Sequence, residues 1–183
     1  PSSAASDVYK RQPYNTLNAE NPGISGFGDL YQNINQMNLF ISRTLHTDVL
    51  TESARNYYWG QVYGLRAYYM YQLYRSWGDV VFTEEPSLGF EVGKLAKAAT
   101  PAAEIFEQVK KDIESSLSYF GSDYTIKEKK SLWSKAATLM LKADVYLWSA
   151  HRDGGEGDAR TAKNALVDIQ LSLIHISEPT RPL

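Results

Sequence analysis

Apolar positions recur every three or four residues through most of this chain, and the gaps between those runs divide it into helices and loops. The first run, Leu30, Ile34, Met37 and Ile41, predicts a helix over 30–45, with a break near 47–51. The second run is less ordinary. From Thr51 or Glu52 to about Ser76 two stripes coexist, with Tyr58, Val62, Leu65, Tyr69 and Leu73 in one and Trp59, Tyr63, Met70 and Tyr74 in the other. A helix that is apolar on more than one face needs more than one packing partner. Gly60, Gly64 and Ala67 share the helical spacing. They predict a tight crossing where a partner backbone comes close, offsetting a helix-propensity cost of about 1 kcal/mol per glycine.

Beyond Gly78 the run VVF predicts a short extended piece, followed by a loop holding Pro86 and two glycines. The next helix start is the most legible in the chain: Thr100 as N-cap, Pro101 at the first helical position, and Glu104 and Glu107 near the positive end. Ile105, Val109, Ile113 and Leu117 mark its buried face and Gly121 its end. A further helix over 131–150 carries Leu132, Ala136, Leu139, Ala143 and Leu147, and a last one covers 158–170 after the loop DGGEG. Those two read as an antiparallel pair. The first 29 residues, with Pro13, Pro22, Gly23, Gly26 and Gly28, read as an extended, turn-rich segment. The predicted architecture is all-α, with tetratricopeptide-like helical repeats and long irregular loops, although the strict 34-residue consensus of such repeats is absent.

Composition narrows the function classes. A net charge of -2 without a basic cluster argues against a nucleic-acid partner, because phosphate recognition concentrates Lys and Arg. The absence of cysteine excludes disulfides, thiolate metal sites and cysteine nucleophiles. No stretch approaches the roughly 20 apolar residues that cross a bilayer, and no basic, then apolar, leader follows Pro1. Thirteen Tyr and four Trp are the compositional oddity. Rings with polar tips serve helix seams and binding faces alike.

The polar residues give no catalytic constellation. Glu84 and Glu85 are neighbours, whereas glycoside hydrolysis needs two carboxyls facing each other across a sugar at about 5 to 9 Å. Asp153, Glu156 and Asp158 sit among glycines but lack the twelve-residue order of a calcium loop, so they read as a solvated turn. His46 and His151 have no companions that would make a zinc site and are assigned to the surface. With no phosphate loop and no nucleophile elbow, neither an enzyme nor a bound cofactor or metal is expected.

Four segments, in order, carry a family resemblance. They are GFGDLYQNINQMNLFI, ARNYYWGQVYGLRAYYMYQLYRSWGDVVF, TPAAEIFEQVKKDIESSLSYF and SKAATLMLKADVYLWSA. The second, with its Leu-Arg-Ala core, aromatics and Gly-Asp-Val, is the strongest. Together they resemble the SusD/RagB family of outer-membrane glycan-binding lipoproteins, with Phe27 standing where tryptophan is usual. The resemblance covers the N-terminal half of a longer protein, hence an incomplete SusD-like fold. It implies a signal and a lipidated cysteine outside this chain, and a surface protein that lies as a lid over a SusC-like TonB-dependent transporter. Such a protein binds oligosaccharides or polysaccharides and passes them on uncleaved. The physical logic is that apolar sugar faces stack on Tyr and Trp while hydroxyls take oriented polar partners.

On this reading Tyr9, Arg11, Tyr14 and Asn15, in the irregular N-terminal segment, are the candidate ligand residues. Phe27, Tyr31, Asn38, Arg66, Trp77, Gly78 and Asp79 are assigned structural duties. Arg66 either forms a buried pair or lays its stem along Tyr69 and Met70; Gly78 ends the helix; Asp79 caps or turns the chain. The domain division is 1–29 as loop-rich segment, 30–171 as helical-repeat region, and 172–183 as a tail. The tail's SLIHISEPTRP resembles translated sequencing-adapter read-through, which would leave His175 without functional meaning. The competing function is a helical-repeat scaffold that contacts protein alone. A glycan binder exposes aromatics beside polar groups, whereas a scaffold buries them in seams or lines a peptide groove with them.

Overall fold

The computed structural model describes residues 26–45, 49–88, 97–126 and 131–177, the last six as backbone. Among them are five α-helices: α1 Gly28–Thr44, α2 Glu52–Trp77, α3 Ala102–Phe120, α4 Lys135–Ser149 and α5 Gly155–Ser177. A π-helical turn, Ala150–Gly154, joins α4 to α5. The only β pairing among the described residues is one antiparallel bridge between Val80 and Thr100. The all-α, helical-repeat expectation is borne out. Consecutive helices pack on one another, and α2 meets three neighbours, α1, α3 and α4.

That central position explains why α2 is apolar all round. Its fully buried residues include Ala67, Met70, Tyr71 and Leu73, which join Ile105, Val109 and Ile113 of α3 and Val145 of α4 in one core. The two expected stripes are only partly the buried ones, for Tyr58 is exposed and Val62, Leu65 and Tyr69 are half-buried. The small residues Gly60, Gly64 and Ala67 are buried as well. The Phe120 ring lies over Gly60, where an added Cβ would stand 2.9 Å from ring carbons. The Trp133 indole covers Gly64 and donates to Thr138 Oγ1 at 2.8 Å. Ser116 Oγ donates to the Gly60 carbonyl at 2.6 Å and lies 2.9 Å from Thr138 Oγ1. Aromatic side chains and hydroxyls, rather than a partner backbone, therefore fill the space the glycines leave.

The helix ends correct several sequence expectations. Thr51 caps α2, accepting from Ala54 N–H at 3.3 Å, and Gly78 ends it at φ 76°, a conformation that disfavours any side chain. Thr100 does not cap α3. Its backbone N–H and C=O are taken by Val80, at 2.9 and 3.3 Å, which moves the helix start past Pro101. Asp79, held beside the bridge, supplies the cap from a distance, its Oδ1 accepting from Ala102 N–H at 2.8 Å. The helix expected from 131 begins at Lys135, because Ser134 caps it through Ala137 N–H at 3.3 Å. The DGGEG segment is not a loop: 150–154 is the π turn, and α5 starts at Gly155, three residues before the expected start. At its other end α5 runs past Gln170 to Ser177, since no Gly or Pro interrupts the sequence before Pro179.

Substituting Gly64→Ala forces Trp133 and Thr138 to move and is expected to destabilise the chain by about 1–3 kcal/mol in urea unfolding. Gly157→Ala, on α5 with nothing near the added methyl, is the matched control. It should be neutral or stabilising by up to about 1 kcal/mol. A separate test of the long-range cap is Asp79→Ala, expected to cost about 1 kcal/mol by the same measurement.

Candidate functional site

A charged group in the middle of an apolar helix organises the region where α1, α2 and α3 meet. Arg66 is 2% exposed and Asp112, on the facing side of α3, is 1% exposed. Arg66 Nε donates to Asp112 Oδ2 and Nη2 to Oδ1, both at 2.7 Å, a bidentate fork that satisfies both oxygens. The remaining terminal nitrogen, Nη1, donates to Asn38 Oδ1 of α1 at 2.9 Å, and Nη2 also reaches Glu84 Oε1 at 3.4 Å. Gln108 Nε2 adds bonds to Asp112 Oδ1 at 2.9 Å and Glu84 Oε1 at 3.3 Å. Burial pushes the Asp112 carboxyl above its ordinary value against the pull of Arg66 and Gln108. For Arg66 burial acts downward, yet the bonds and charge of Asp112 outweigh it and hold the guanidinium above its usual value.

From Asn38 the network passes to the backbone of 81–88. Asn38 Nδ2 donates to the Thr83 carbonyl at 2.7 Å, and Tyr31 Oη donates to the Val81 carbonyl at 2.8 Å. Asn35 exchanges two bonds with Ser87, its Nδ2 donating to the carbonyl at 3.2 Å and its Oδ1 accepting from N–H at 2.7 Å. One face of α1 thus reads Tyr31, Asn35, Asn38 at helical spacing and pairs with a segment that has no sheet to satisfy it. Burial raises the Tyr31 phenol, which the Val81 carbonyl partly offsets, so it stays a neutral donor. Between α1 and 81–88 lies a groove of about 270 Å³ with Ile34 and Met70 in its floor and Tyr31, Asn35, Asn38 and Phe82 in its lining. Next to it, Phe27 packs edge-on against Tyr31 and Trp77, with centroids 5.4 and 5.7 Å apart.

Of the residues singled out in the sequence, Tyr9, Arg11, Tyr14 and Asn15 lie outside the described residues. Phe27, Tyr31 and Trp77 come together in the aromatic cluster; Asn38 and Arg66 meet in the polar hub; Gly78 and Asp79 make the α2–α3 junction. Asp112 and Gln108 were not foreseen. Asp112 sits at the spacing 105, 109, 112, 116 of a buried helix face, so a carboxylate in that register was the readable sign of a buried cation. Glu84 shares its donors, Arg66 Nη2 and Gln108 Nε2, with the Asp112 carboxylate, so both carboxyls belong to the hub. His151 is exposed on the π turn, while His46 lies outside the described residues. Among the described residues no three His, Cys, Asp or Glu side chains group as metal ligands, and no helix is long and apolar enough to cross a membrane.

With this geometry in hand, comparison with known proteins is decisive. A family model for SusD-like proteins, described as starch-binding associating with outer membrane, matches residues 2–147. The chain belongs to the SusD-like family. A solved SusD superfamily protein from Bacteroides vulgatus is 46% identical at a TM-score of 0.79, over 90% of this chain and 33% of that one. NanU of B. fragilis is 44% identical at a TM-score of 0.79, over 96% of this chain and 34% of that one. A SusD-like protein of Formosa agariphila is 33% identical over 94 residues, 50% of this chain and 17% of its own length. This SusD-like chain therefore spans about a third of its solved relatives.

Within it, Asp112→Asn leaves the buried Arg66 with only the longer, solvent-exposed contact to Glu84 at 3.4 Å among the ion pairs described for it. The expected loss is about 3–5 kcal/mol in urea unfolding. The double variant Arg66→Met, Asp112→Leu should lose clearly less than the two single changes added together. Additive losses would mean that the two side chains act independently.

Proposed function

We propose that this chain is part of a non-catalytic glycan-binding accessory protein of the outer-membrane surface, which captures oligosaccharides and delivers them to a SusC-like TonB-dependent transporter. The observation that carries the proposal is the family match across 2–147, reinforced by relatives 46% and 44% identical in sequence. Surface chemistry supports it: Tyr58, Tyr68, Trp77 and Trp148 each leave more than a third of their surface in solvent. Such rings suit the apolar faces of sugars. The described side chains support a binding role over hydrolysis, because Glu84 and Asp112, which share Arg66 and Gln108 as donors, are both engaged by that hub, and Asp112 is buried.

In the proposed division of labour, residues 30–171 are the helical scaffold, and 1–29 bring Tyr9, Arg11, Tyr14 and Asn15 to the ligand. Attachment to the membrane runs through a lipid anchor borne outside this chain. The hub around Arg66 and Asp112 ties α1 to α2 through Asn38.

The test is calorimetric titration of a panel of neutral and acidic oligosaccharides into the longer parent protein, beside the 183-residue chain. One glycan class should bind and be recovered intact. The double variant Tyr9→Ala, Tyr14→Ala should bind it about tenfold more weakly, the equivalent of roughly 1.4 kcal/mol of lost stacking. A folded parent that binds nothing in the panel overturns the proposal.

A further inference from the structure

We infer that the open face of α4, centred on Met140 and Leu147, seats a further helix of the longer parent protein, docked there as α4 is docked on α2 and α3. The inference draws on the chain's span of about a third of its solved relatives and not on what the parent binds. The other faces of α4 are already taken. Leu141 and Val145 join the core with α2 and α3, and Leu139 and Ala143 meet Ala165 of α5. What is left is Met140, Asp144 and Leu147, at i, i+4 and i+7 along one face, with Met140 55% and Leu147 52% exposed. On α5 the residue after Ala165, Leu166, is exposed too.

A helix face meant for water looks different in this chain. The exposed positions that recur at helical spacing along α3, namely Glu104, Glu107, Lys111, Glu114 and Ser118, are polar throughout. On its open face α4 puts methionine and leucine where α3 puts glutamate and lysine. The one charged member, Asp144, lies 3.6 Å from Arg75 Nη1 of α2, so the charge is drawn to the edge and the centre stays apolar. That is the division between the core and the rim of an interface. The construction of the chain indicates what covers it. α4 touches both helices of the preceding pair, α2 and α3, and α5 then packs on α4. In a stacked array each unit contacts its neighbours, and a unit that ends the array carries a polar outer face. The α4 face is not polar, so the array continues over it with an amphipathic helix whose apolar stripe meets Met140 and Leu147.

The chain contains no cysteine, so single introduced thiols report on one position each. Met140→Cys and Leu147→Cys, with Lys111→Cys on the exposed side of α3 as control, are labelled with a maleimide in the 183-residue chain and in the parent, any cysteine of the parent's own being replaced by serine. All three thiols should react fast in the chain. In the folded parent those at 140 and 147 should react about tenfold more slowly or less, a protection factor equivalent to roughly 1.4 kcal/mol or more, while the one at 111 keeps its rate. Leu147→Asp is the second variant: it should leave the urea midpoint of the chain unchanged and lower that of the parent. Thiols at 140 and 147 that react as fast in the folded parent as in the chain overturn the inference, and so does a loss of midpoint from Leu147→Asp that is equal in the two. Protection that arises in the chain alone and grows with its concentration assigns the face to a second copy and overturns it too.

Discussion

Arg66 and Asp112 impose the constraint on which the rest of this fold depends. A guanidinium placed mid-helix between apolar neighbours cannot stay buried unless every donor is matched, and the matching groups come from three other parts of the chain. Asp112 ties α2 to α3, Asn38 ties it to α1, and Glu84 ties it to the segment that follows α2. Hydrophobic burial would hold these elements together without specifying how they slide, because apolar contacts are not directional. The fork between Arg66 and Asp112 is directional, so it fixes the register of α2 against α3. Asn38 then transmits that register to α1.

The same logic explains why α1 is only moderately apolar. Its inward face carries Tyr31, Asn35 and Asn38 among Ile34 and its neighbours, so α1 docks partly by hydrogen bonds to the backbone of 81–88. That segment follows the bridged residue Val80 and has no β pairing of its own among the described residues. Side chains of α1 do the work that a neighbouring strand would do in a sheet. A groove persists beside it because side-chain amides reach farther than backbone groups would and hold the two elements apart.

How much of this could be read in advance follows from which interactions are local. Helix existence, the Gly78 and Gly121 stops and the start of α2 near Thr51 are set within a turn of the residue concerned, and they were legible. The start of α3 was not, because its cap comes from Asp79, more than twenty residues earlier, delivered by a bridge that the sequence does not announce. The glycines of α2 were correctly read as marks of close approach. What approaches, the ring of Phe120 at the end of α3 and that of Trp133 before α4, is a tertiary contact that periodicity does not encode. Arg66 was recognised as a candidate for a buried pair, yet its partner lies 46 residues away, and only the register of α3 hinted at Asp112.

The candidate site divides along the same line. Ligand residues of a binding protein need only be exposed and correctly oriented, and neither property leaves a periodic trace, so Tyr9, Arg11, Tyr14 and Asn15 were chosen by residue type and neighbourhood. Structural residues leave such a trace, and Asn38 shows why the two classes should not be held apart. Its amide oxygen serves the buried arginine while its nitrogen donates to the Thr83 carbonyl, so one side chain carries the geometry of the core to the segment 81–88. Any change that loosens the Arg66 fork should therefore be felt first in the groove and only later in global stability, because Asn38 and 81–88 lie nearer the surface than the α2–α3 core.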